Sequence, residues 1–304
     1  MKILITGGAG YLGAALVHLL EADDEVEQII IYDNMSRGNY NLFLHNRLKN
    51  KKVIFIQSDI LDSRQLHQSL KNIDVVYHLA SKVSTPFANI DAHSYEQVNH
   101  WGTAELISAV EQSNVSQFIF LSSASVYGTS DEMIDEQTTP NPKSYYGISK
   151  LRAEDHVKRL FNKINTLIIR CSNVYGYSTA LRFDAVINKF MFDANFFNRI
   201  FINGNGNQYR AFINIEYASE TLKNLRHSKL NSGIYNLTGN NFEIAFIAET
   251  LKEIYPKLEF LFINQHIQMQ QLKIETENIL NKLQKTETPS LKSQLIKFKN
   301  QFTF

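Results

Sequence analysis

Tyr146 and Lys150 stand four residues apart in Ser144-Tyr145-Tyr146-Gly147-Ile148-Ser149-Lys150, shortly after Pro140 and Pro142. On a helix this spacing sends both side chains from one face, with Cβ atoms about 6 Å apart. A free phenol, with a pKa near ~10, is a poor base at neutral pH. An ammonium group beside it stabilises the phenolate, and a fall of about 3 units takes roughly 4 kcal/mol of differential stabilisation. Tyr146 could then accept a proton from an alcohol as a general base. Tyr145, five residues from Lys150, is rotated away by about 100° more. A hydroxyl partner lies one crossover upstream, in Leu121-Ser122-Ser123-Ala124-Ser125-Val126-Tyr127-Gly128. Ser123 can hydrogen-bond a substrate hydroxyl or ketone and share its proton with Tyr146. Ser122 and Ser125 read as turn-forming serines.

A second group of residues suits a phosphate. Thr6-Gly7-Gly8-Ala9-Gly10-Tyr11-Leu12-Gly13 follows an apolar run and opens an amphipathic one. Gly7, Gly10 and Gly13 satisfy G-x-x-G-x-x-G, and Gly8, Gly10 and Gly13 satisfy G-x-G-x-x-G. Without side chains the backbone turns tightly and its N–H groups approach a pyrophosphate, which the positive end of the helix dipole also attracts. Asp33, twenty residues past Gly13, ends the next apolar run as Tyr32-Asp33-Asn34, where a carboxylate can accept hydrogen bonds from adenosine ribose hydroxyls. Asp33 repels a 2′-phosphate and so favours NAD over NADP, with Arg37 nearby as the opposing charge. An oxidised nicotinamide beside Tyr146 adds a second positive charge in favour of the phenolate.

The elements that must position these groups alternate along the first two-thirds of the chain. Continuous apolar runs predict strands over Lys2–Thr6, Gln28–Asp33, Lys52–Ser58, Val75–Ala80, Gln117–Ser122 and Thr166–Cys171, covered on both faces as in a parallel sheet. Amphipathic stretches predict helices over Tyr11–Ala22, Ser63–Leu70, Thr103–Gln112 and Tyr146–Phe161. Strand and helix in alternation define an α/β, doubly wound Rossmann sheet, whose ligands bind at the carboxyl edge. From about Tyr177 the rhythm changes to loops such as Asn203-Gly204-Asn205-Gly206-Asn207. Two late helices are predicted over Ile274–Leu283 and Leu291–Phe298, parted at Thr288-Pro289-Ser290. The expectation is a dinucleotide-binding domain over 1–176 and a smaller C-terminal substrate-binding lobe over 177–304, with chain returns to the sheet across an interleaved boundary.

Composition narrows the partners. Among 304 residues, 31 lysines and arginines face 30 aspartates and glutamates, so a net charge of +1 gives no electrostatic reason to expect nucleic acid or an anionic membrane. One cysteine, Cys171, permits neither an intrachain disulfide nor a multi-cysteine zinc site. Nine histidines without H-E-x-x-H or comparable spacing give no reason to expect a metal. The apolar stretch after Met1-Lys2 is too short for a signal h-region, and no run is long enough to span a bilayer, so a soluble cytoplasmic protein is expected.

With these motifs in place, residues 1 to about 240 resemble the extended short-chain dehydrogenase/reductase family, in its NAD-dependent nucleotide-sugar epimerase/dehydratase branch, similar to UDP-glucose 4-epimerases. Beyond the glycine turn, Asp33 and Asn34, the likeness rests on Asp59-Ile60, His78-Leu79-Ala80-Ser81, Asn99 with Gly102-Thr103, Ser123, and Tyr146 with Lys150. It implies that Gly7, Gly10, Tyr11, Leu12, Gly13, Asp33, Asn34, Asp59, Ile60, Leu79, Ala80, Ser81, Asn99, Tyr146 and Lys150 hold NAD. It implies that Ser123, Tyr146 and Lys150 are catalytic. Arg170-Cys171-Ser172-Asn173-Val174-Tyr175-Gly176 resembles a strand whose asparagine contacts the sugar diphosphate. Arg182 to Asn188 resembles the helix lining the substrate site, and Arg210 in Gln208-Tyr209-Arg210-Ala211-Phe212 an arginine that grips phosphates, as a bidentate guanidinium can. The implied substrate is a nucleotide-diphosphate sugar and the implied assembly a homodimer. The implied isomerase reaction oxidises the sugar transiently at C4: Tyr146 takes the 4-hydroxyl proton, C4 gives hydride to NAD, and hydride returns to the other face of the 4-keto sugar.

Two departures from the family pattern bear on the reaction. Dehydratases of this family carry Asp-Glu directly after the catalytic Ser/Thr, and decarboxylases carry a glutamate; here those positions are Ala124 and Ser125. That argues against dehydration and decarboxylation. Relatives also carry an arginine before the final helices, and Gln265 to Lys273 contains none, leaving Lys273 as a point charge in its place. A nucleotide-sugar 4-keto reductase or dehydrogenase uses the same Tyr and Ser and stays open. Outside enzymes the alternative is an NAD-binding regulatory protein, which has no use for a phenolate.

Overall fold

The β-branched and apolar runs become the strands of a central sheet, and in its middle they are buried: Ile3, Leu4, Ile5, Ile29, Ile30 and Ile31 all lie in the interior. Ile54 and Phe55 of the run predicted over Lys52–Ser58 are exposed, so that run, at the edge of the sheet, is not covered on both faces as expected. The structure is a computed structural model and describes residues 1–44, 48, 52–83, 91–264, 271–283 and 289–303. The first half of the chain supplies β1 (Lys2–Thr6), β2 (Gln28–Asp33), β3 (Val53–Gln57), β4 (Val75–His78) and β5 (Gln117–Ser123). Then follow β6 (Met133–Ile134), β7 (Asn165–Cys171), β8 (Asn173–Tyr175), β9 (Arg199–Asn203) and β10 (Tyr209–Asn214). Last come β11 (Gly233–Leu237), β12 (Asn240–Glu243), β13 (Glu259–Ile263) and β14 (Lys273–Ile274).

Seven of these form one sheet in the order β11-β7-β5-β4-β1-β2-β3, all neighbours parallel. The order reverses between β1 and β4, which opens the crevice where such sheets bind ligands. Because the strands run in parallel, Thr6, Asp33, His78, Ser123 and Cys171 all fall at one edge.

Helices cover both faces. In chain order they are α1 (Tyr11–Glu21), α2 (Ser63–Ser69), α3 (Ala92–Tyr95), α4 (Gly102–Glu111) and α5 (Tyr145–Val157), then α6 (Val186–Phe197), α7 (Ile215–Leu225), α8 (Ile244–Ile254), α9 (Ile279–Leu283) and α10 (Leu291–Lys299). One core joins Leu16 and Val17 of α1 with Ile215 and Leu222 of α7. The other joins Leu66 of α2, Leu106 and Ile107 of α4 and Ala153 and Val157 of α5. A π-helical turn, Glu96–Trp101, leads into α4.

The late chain builds a smaller lobe with its own core from Phe190, Ile247, Leu251, Leu295 and Phe298. It holds a three-stranded sheet, β12-β10-β8, and the pairs β13-β9 and β14-β6. Two elements after residue 177 belong elsewhere: β11 extends the central sheet beside β7, and α7 packs on α1. The predicted helix over Ile274–Leu283 is shorter than expected. Ile274 instead extends β14, pairing with Ile134 of β6, and the Asn278 side chain caps the start of α9 by accepting from Asn281 N. Among the described residues no helix is long and apolar enough to cross a membrane.

Candidate functional site

The glycine turn is shaped by its own packing. Gly7 has φ +73, and a Cβ there would meet the Ala80 backbone; a Cβ at Gly13 would run into the Gly7 carbonyl oxygen. The turn therefore presses against the loop after β4, and α1 against the turn. Gly10 begins α1 with no side-chain cap and no acidic residue in the first turn. The Tyr11, Leu12 and Gly13 N–H groups thus precede the first helical acceptor and face outward as donors. Asp33 fixes the turn from β2, accepting from Ala9 N at 3.1 Å and Met35 N at 2.9 Å. Burial raises its pKa and these two backbone bonds oppose the rise. Arg37, the charge that opposes Asp33 in the choice between NAD and NADP, lies 3.8 Å from Asp184. An uncapped helix start beside a half-buried carboxylate fits a dinucleotide's pyrophosphate and ribose.

Further along the edge, Asn34 donates to Asp59 at 2.8 Å, so these two hold each other at the ends of β2 and β3. Ile60 is core, packed against Gly102. Leu79 donates its N–H to Thr6 at 2.9 Å, and Ser81 donates to Asn99 at 3.0 Å.

Tyr146 and Lys150 are both buried on α5, which Ser144 starts by accepting from Gly147 N at 3.1 Å. Ser123 ends β5 and caps the following turn, accepting from Ser125 N at 3.1 Å. The structure brings Ser123, Ser81 and Tyr146 together. Burial raises the Tyr146 pKa, and side-chain interactions with Ser123 and Ser81 and the charge of Arg182 pull it down. Burial outweighs these, and the charge of Arg182 joins the Lys150 ammonium and the oxidised nicotinamide expected from the sequence to stabilise the phenolate. Lys150 is itself pushed down to about 7 by burial, opposed by Glu154. A dry site weakens the very charge it was expected to supply.

Three candidate contact residues are committed to the protein instead. Asn99 accepts from Ser81 Oγ and Lys82 N at 3.0 and 2.8 Å and donates to Lys82 O and Ser149 Oγ at 3.0 Å each. Its amide has no donor left for a ligand, so it braces the loop after β4 against α5. Asn188, fully buried, accepts from Gly176 N at 3.0 Å and donates to Tyr11 Oη at 3.1 Å and Arg182 O at 2.9 Å. It joins the glycine turn to the late lobe and is no free substrate ligand. Tyr11 Oη in turn donates to Gly176 O at 2.6 Å, so only its backbone faces outward.

Asn173, Arg182 and Arg210 are the remaining candidates. Asn173 is exposed, with one amide donor on Ala211 O at 2.9 Å. Arg182 bonds Asp184 through Nε at 2.8 Å. The Arg210 side chain has no ion pair or hydrogen bond among the described residues, and burial lowers its pKa. A half-buried, unpaired guanidinium is a seat for an incoming anion. Lys273 sits 5.6 Å from the Tyr209 ring centroid, beside the strand that carries Arg210. Residues 265–270 of the arginine-free segment lie outside the described residues.

Sequence reading missed a buried polar layer beneath the site. Ser122, read as a turn residue, is in β5 and donates to Glu154 Oε1 at 2.6 Å, while Arg170 binds the same carboxylate at 3.0 and 2.7 Å. His78 lies between Thr6 Oγ1 at 2.7 Å and Thr103 Oγ1 at 2.8 Å. Burial, and then the charge of Lys150, hold its pKa well below the ordinary histidine value. The four-residue interval between Lys150 and Glu154 was the one available signal. Among the described residues no group of His, Cys, Asp and Glu could hold a metal ion.

This parallel sheet, glycine turn and Ser-Tyr-Lys edge define a dinucleotide-binding α/β protein of the short-chain dehydrogenase/reductase type. Residues 3–238 match the NAD dependent epimerase/dehydratase family, and the chain belongs to it. It is 32% identical over 261 residues to human dTDP-D-glucose 4,6-dehydratase, covering 83% of this chain and 73% of that protein. It is 30% identical over 261 residues to a putative UDP-glucose 4-epimerase of Methanocaldococcus jannaschii, covering 82% and 81%. The structure of UDP-glucuronic acid 4-epimerase from Bacillus cereus, in complex with UDP-glucuronic acid and NAD, superposes with a TM-score of 0.87 at 27% identity, over 99% of this chain and 98% of that one. Epimerases and dehydratases both occur among the relatives.

Proposed function

We propose that this protein is an NAD-dependent nucleotide-sugar 4-epimerase. The observation that carries the reading is Tyr146, buried against Ser123 and Ser81 beside an uncapped glycine turn, with Ala124 and Ser125 rather than carboxylates following Ser123. The glycine turn and Asp33 would hold NAD, which when bound supplies the hydride acceptor and donor.

The chain's own residues then handle protons and position. Tyr146 takes the proton of the sugar 4-hydroxyl and returns it to the 4-ketone, and Ser123 hydrogen-bonds the same oxygen in both states. Because burial holds the phenol up, a further positive charge on binding is needed before it accepts a proton near neutrality. Lys150 keeps a cation on the same helix face. Arg210, its side chain half-buried and unpaired among the described residues, is the seat for the diphosphate, with Asn173 on the neighbouring strand β8. Elimination of water would need an additional acid and base, which positions 124 and 125 do not offer. A homodimer, with Trp101 and Tyr145 as exposed aromatics on its contact helices, completes the reading; light scattering tests it.

The test is to purify the protein without added dinucleotide, identify what it releases on denaturation, and screen nucleotide sugars with product identification. An epimerase carries NAD and interconverts 4-epimers without net redox change. Stoichiometric NADH consumption would make it a reductase, a 4-keto-6-deoxy product a dehydratase, and either outcome overturns the reading.

A further inference from the structure

One turn beyond Lys150, α5 carries a second buried ionisable side chain. Glu154 is fully buried, with Arg170 against it at 3.0 Å through Nε and 2.7 Å through Nη2. Ser122 completes the shell at 2.6 Å. The far face of the guanidinium stacks on Tyr127, 4.8 Å from its ring centroid, and Tyr127 donates to Asn236 at 2.8 Å. The pair is thus fixed in direction. Its anionic end lies on the helix that carries Lys150, and its cationic end is turned toward Tyr127.

Lys150 needs such a neighbour. It is fully buried, and its Nζ lies 4.3 Å from the Phe120 ring centroid, a contact that favours the cation. The titratable and charged groups around it are Tyr146 and Glu154 from its own helix, His78 from β4 and Arg170 from β7 behind Glu154. Strand β5 contributes Phe120, Ser122 and Ser123, and the π-helical turn and α4 contribute the neutral Asn99 and Thr103. His78 is kept neutral by burial. Glu154 is therefore the anion in this group, and its charge favours the Lys150 ammonium. Alone, a carboxylate in this interior would be strongly disfavoured; the bidentate guanidinium offsets that cost.

We infer that Glu154 and Arg170 are a positioning pair for Lys150: Arg170 makes a buried carboxylate tolerable, and that carboxylate keeps an ammonium charged in a site too dry to hold one unaided. The inference rests on the proposed function only where Lys150 serves Tyr146; the charge state of Lys150 is a property of the protein itself. A merely structural pair would leave Lys150 indifferent to it.

The test reads Lys150 directly. Full-length protein labelled with ¹³Cε-lysine is titrated by NMR, the Lys150 signal being assigned through K150R. In E154Q the Lys150 midpoint falls by about 1 pH unit or more, tenfold in proton affinity, because the bare guanidinium now repels it. The double variant E154Q/R170M removes both charges at similar volume, a change that buried pairs often tolerate, and keeps the test open where E154Q fails to fold. There the midpoint still falls, by less, and E154D restores most of it. A Lys150 midpoint unchanged in the double variant overturns the inference. The kcat–pH profile then separates the two readings. A limb that moves with the NMR midpoint supports both, whereas an NMR shift with an unmoved profile upholds the pair and overturns the role of Lys150 in turnover.

Discussion

The two walls of the candidate site are made by opposite means. On the dinucleotide side the working atoms are backbone N–H groups at the start of α1, and the chain's contribution is to leave side chains out: Gly7 and Gly13 allow a contact that any Cβ would block. On the proposed substrate side the candidate atoms are side-chain tips, those of Tyr146, Ser123 and Arg210, carried by α5, β5 and β10. The first wall is local, spanning residues 6 to 33, and Asp33 ties it to the next strand. The second depends on contacts between residues far apart in the chain, such as Asn188 bonding Tyr11 across the lobes. A backbone site tolerates most substitutions around it and almost none within it. A side-chain site fails one function at a time.

Substitutions can break this contrast. Tyr146→Phe removes a proton carrier without altering the backbone wall. Turnover falls by about 10³-fold while dinucleotide stays bound, since general acid–base groups commonly contribute 10²–10⁴-fold. Single-turnover assays and the dinucleotide content of the purified variant check this, and a variant retaining a tenth of wild-type turnover would remove Tyr146 from proton transfer. Gly13→Ala strikes the other wall. The new methyl group meets the Gly7 carbonyl, so the turn opens and stability falls by about 1–3 kcal/mol, as overpacking does. Dinucleotide binding goes with it, and calorimetry reads both. Arg210→Ala acts on affinity alone: losing charge-assisted bonds worth about 1.5–3 kcal/mol raises KM for the nucleotide sugar by about 10- to 100-fold, with kcat nearly kept.

The same contrast governs what could be read without coordinates. The glycine turn, Asp33 and the strand–helix alternation were legible because each is a local pattern whose geometry follows from chain chemistry. Tyr146 and Lys150 were legible as a face of one helix. Their electrostatics were not, because burial, which raises the phenol and lowers the amine, is set by β5, β7, α4 and the π-helical turn packing around α5. Ser122 and Ser123 are adjacent and identical in type, yet the alternation of a strand sends one to Glu154 and places the other by Tyr146. Only knowing where β5 begins and what covers each face separates them. Asn99 and Asn188 show the opposite failure. Each looked like a ligand because asparagine can bond anything, and each has its amide filled by backbone and side-chain groups of the protein that no sequence pattern announces.

Asn188 supplies the finest test of the two walls, because it belongs to both and to neither. Its amide accepts from Gly176 N and donates to Tyr11 Oη and Arg182 O, all within the protein interior. Asn188→Ala leaves the Gly176 N–H without its partner and takes one hydrogen bond from Tyr11 Oη. An unsatisfied buried group of this kind costs about 1–3 kcal/mol, so the denaturation midpoint falls. No atom of Asn188 is left over for a sugar or a phosphate, so KM for the nucleotide sugar changes by less than about threefold under conditions where the variant is folded. Asn188→Asp restores the acceptor but not the two donors, and recovers only part of the lost stability. A KM raised tenfold with an unmoved midpoint would instead make Asn188 a substrate ligand.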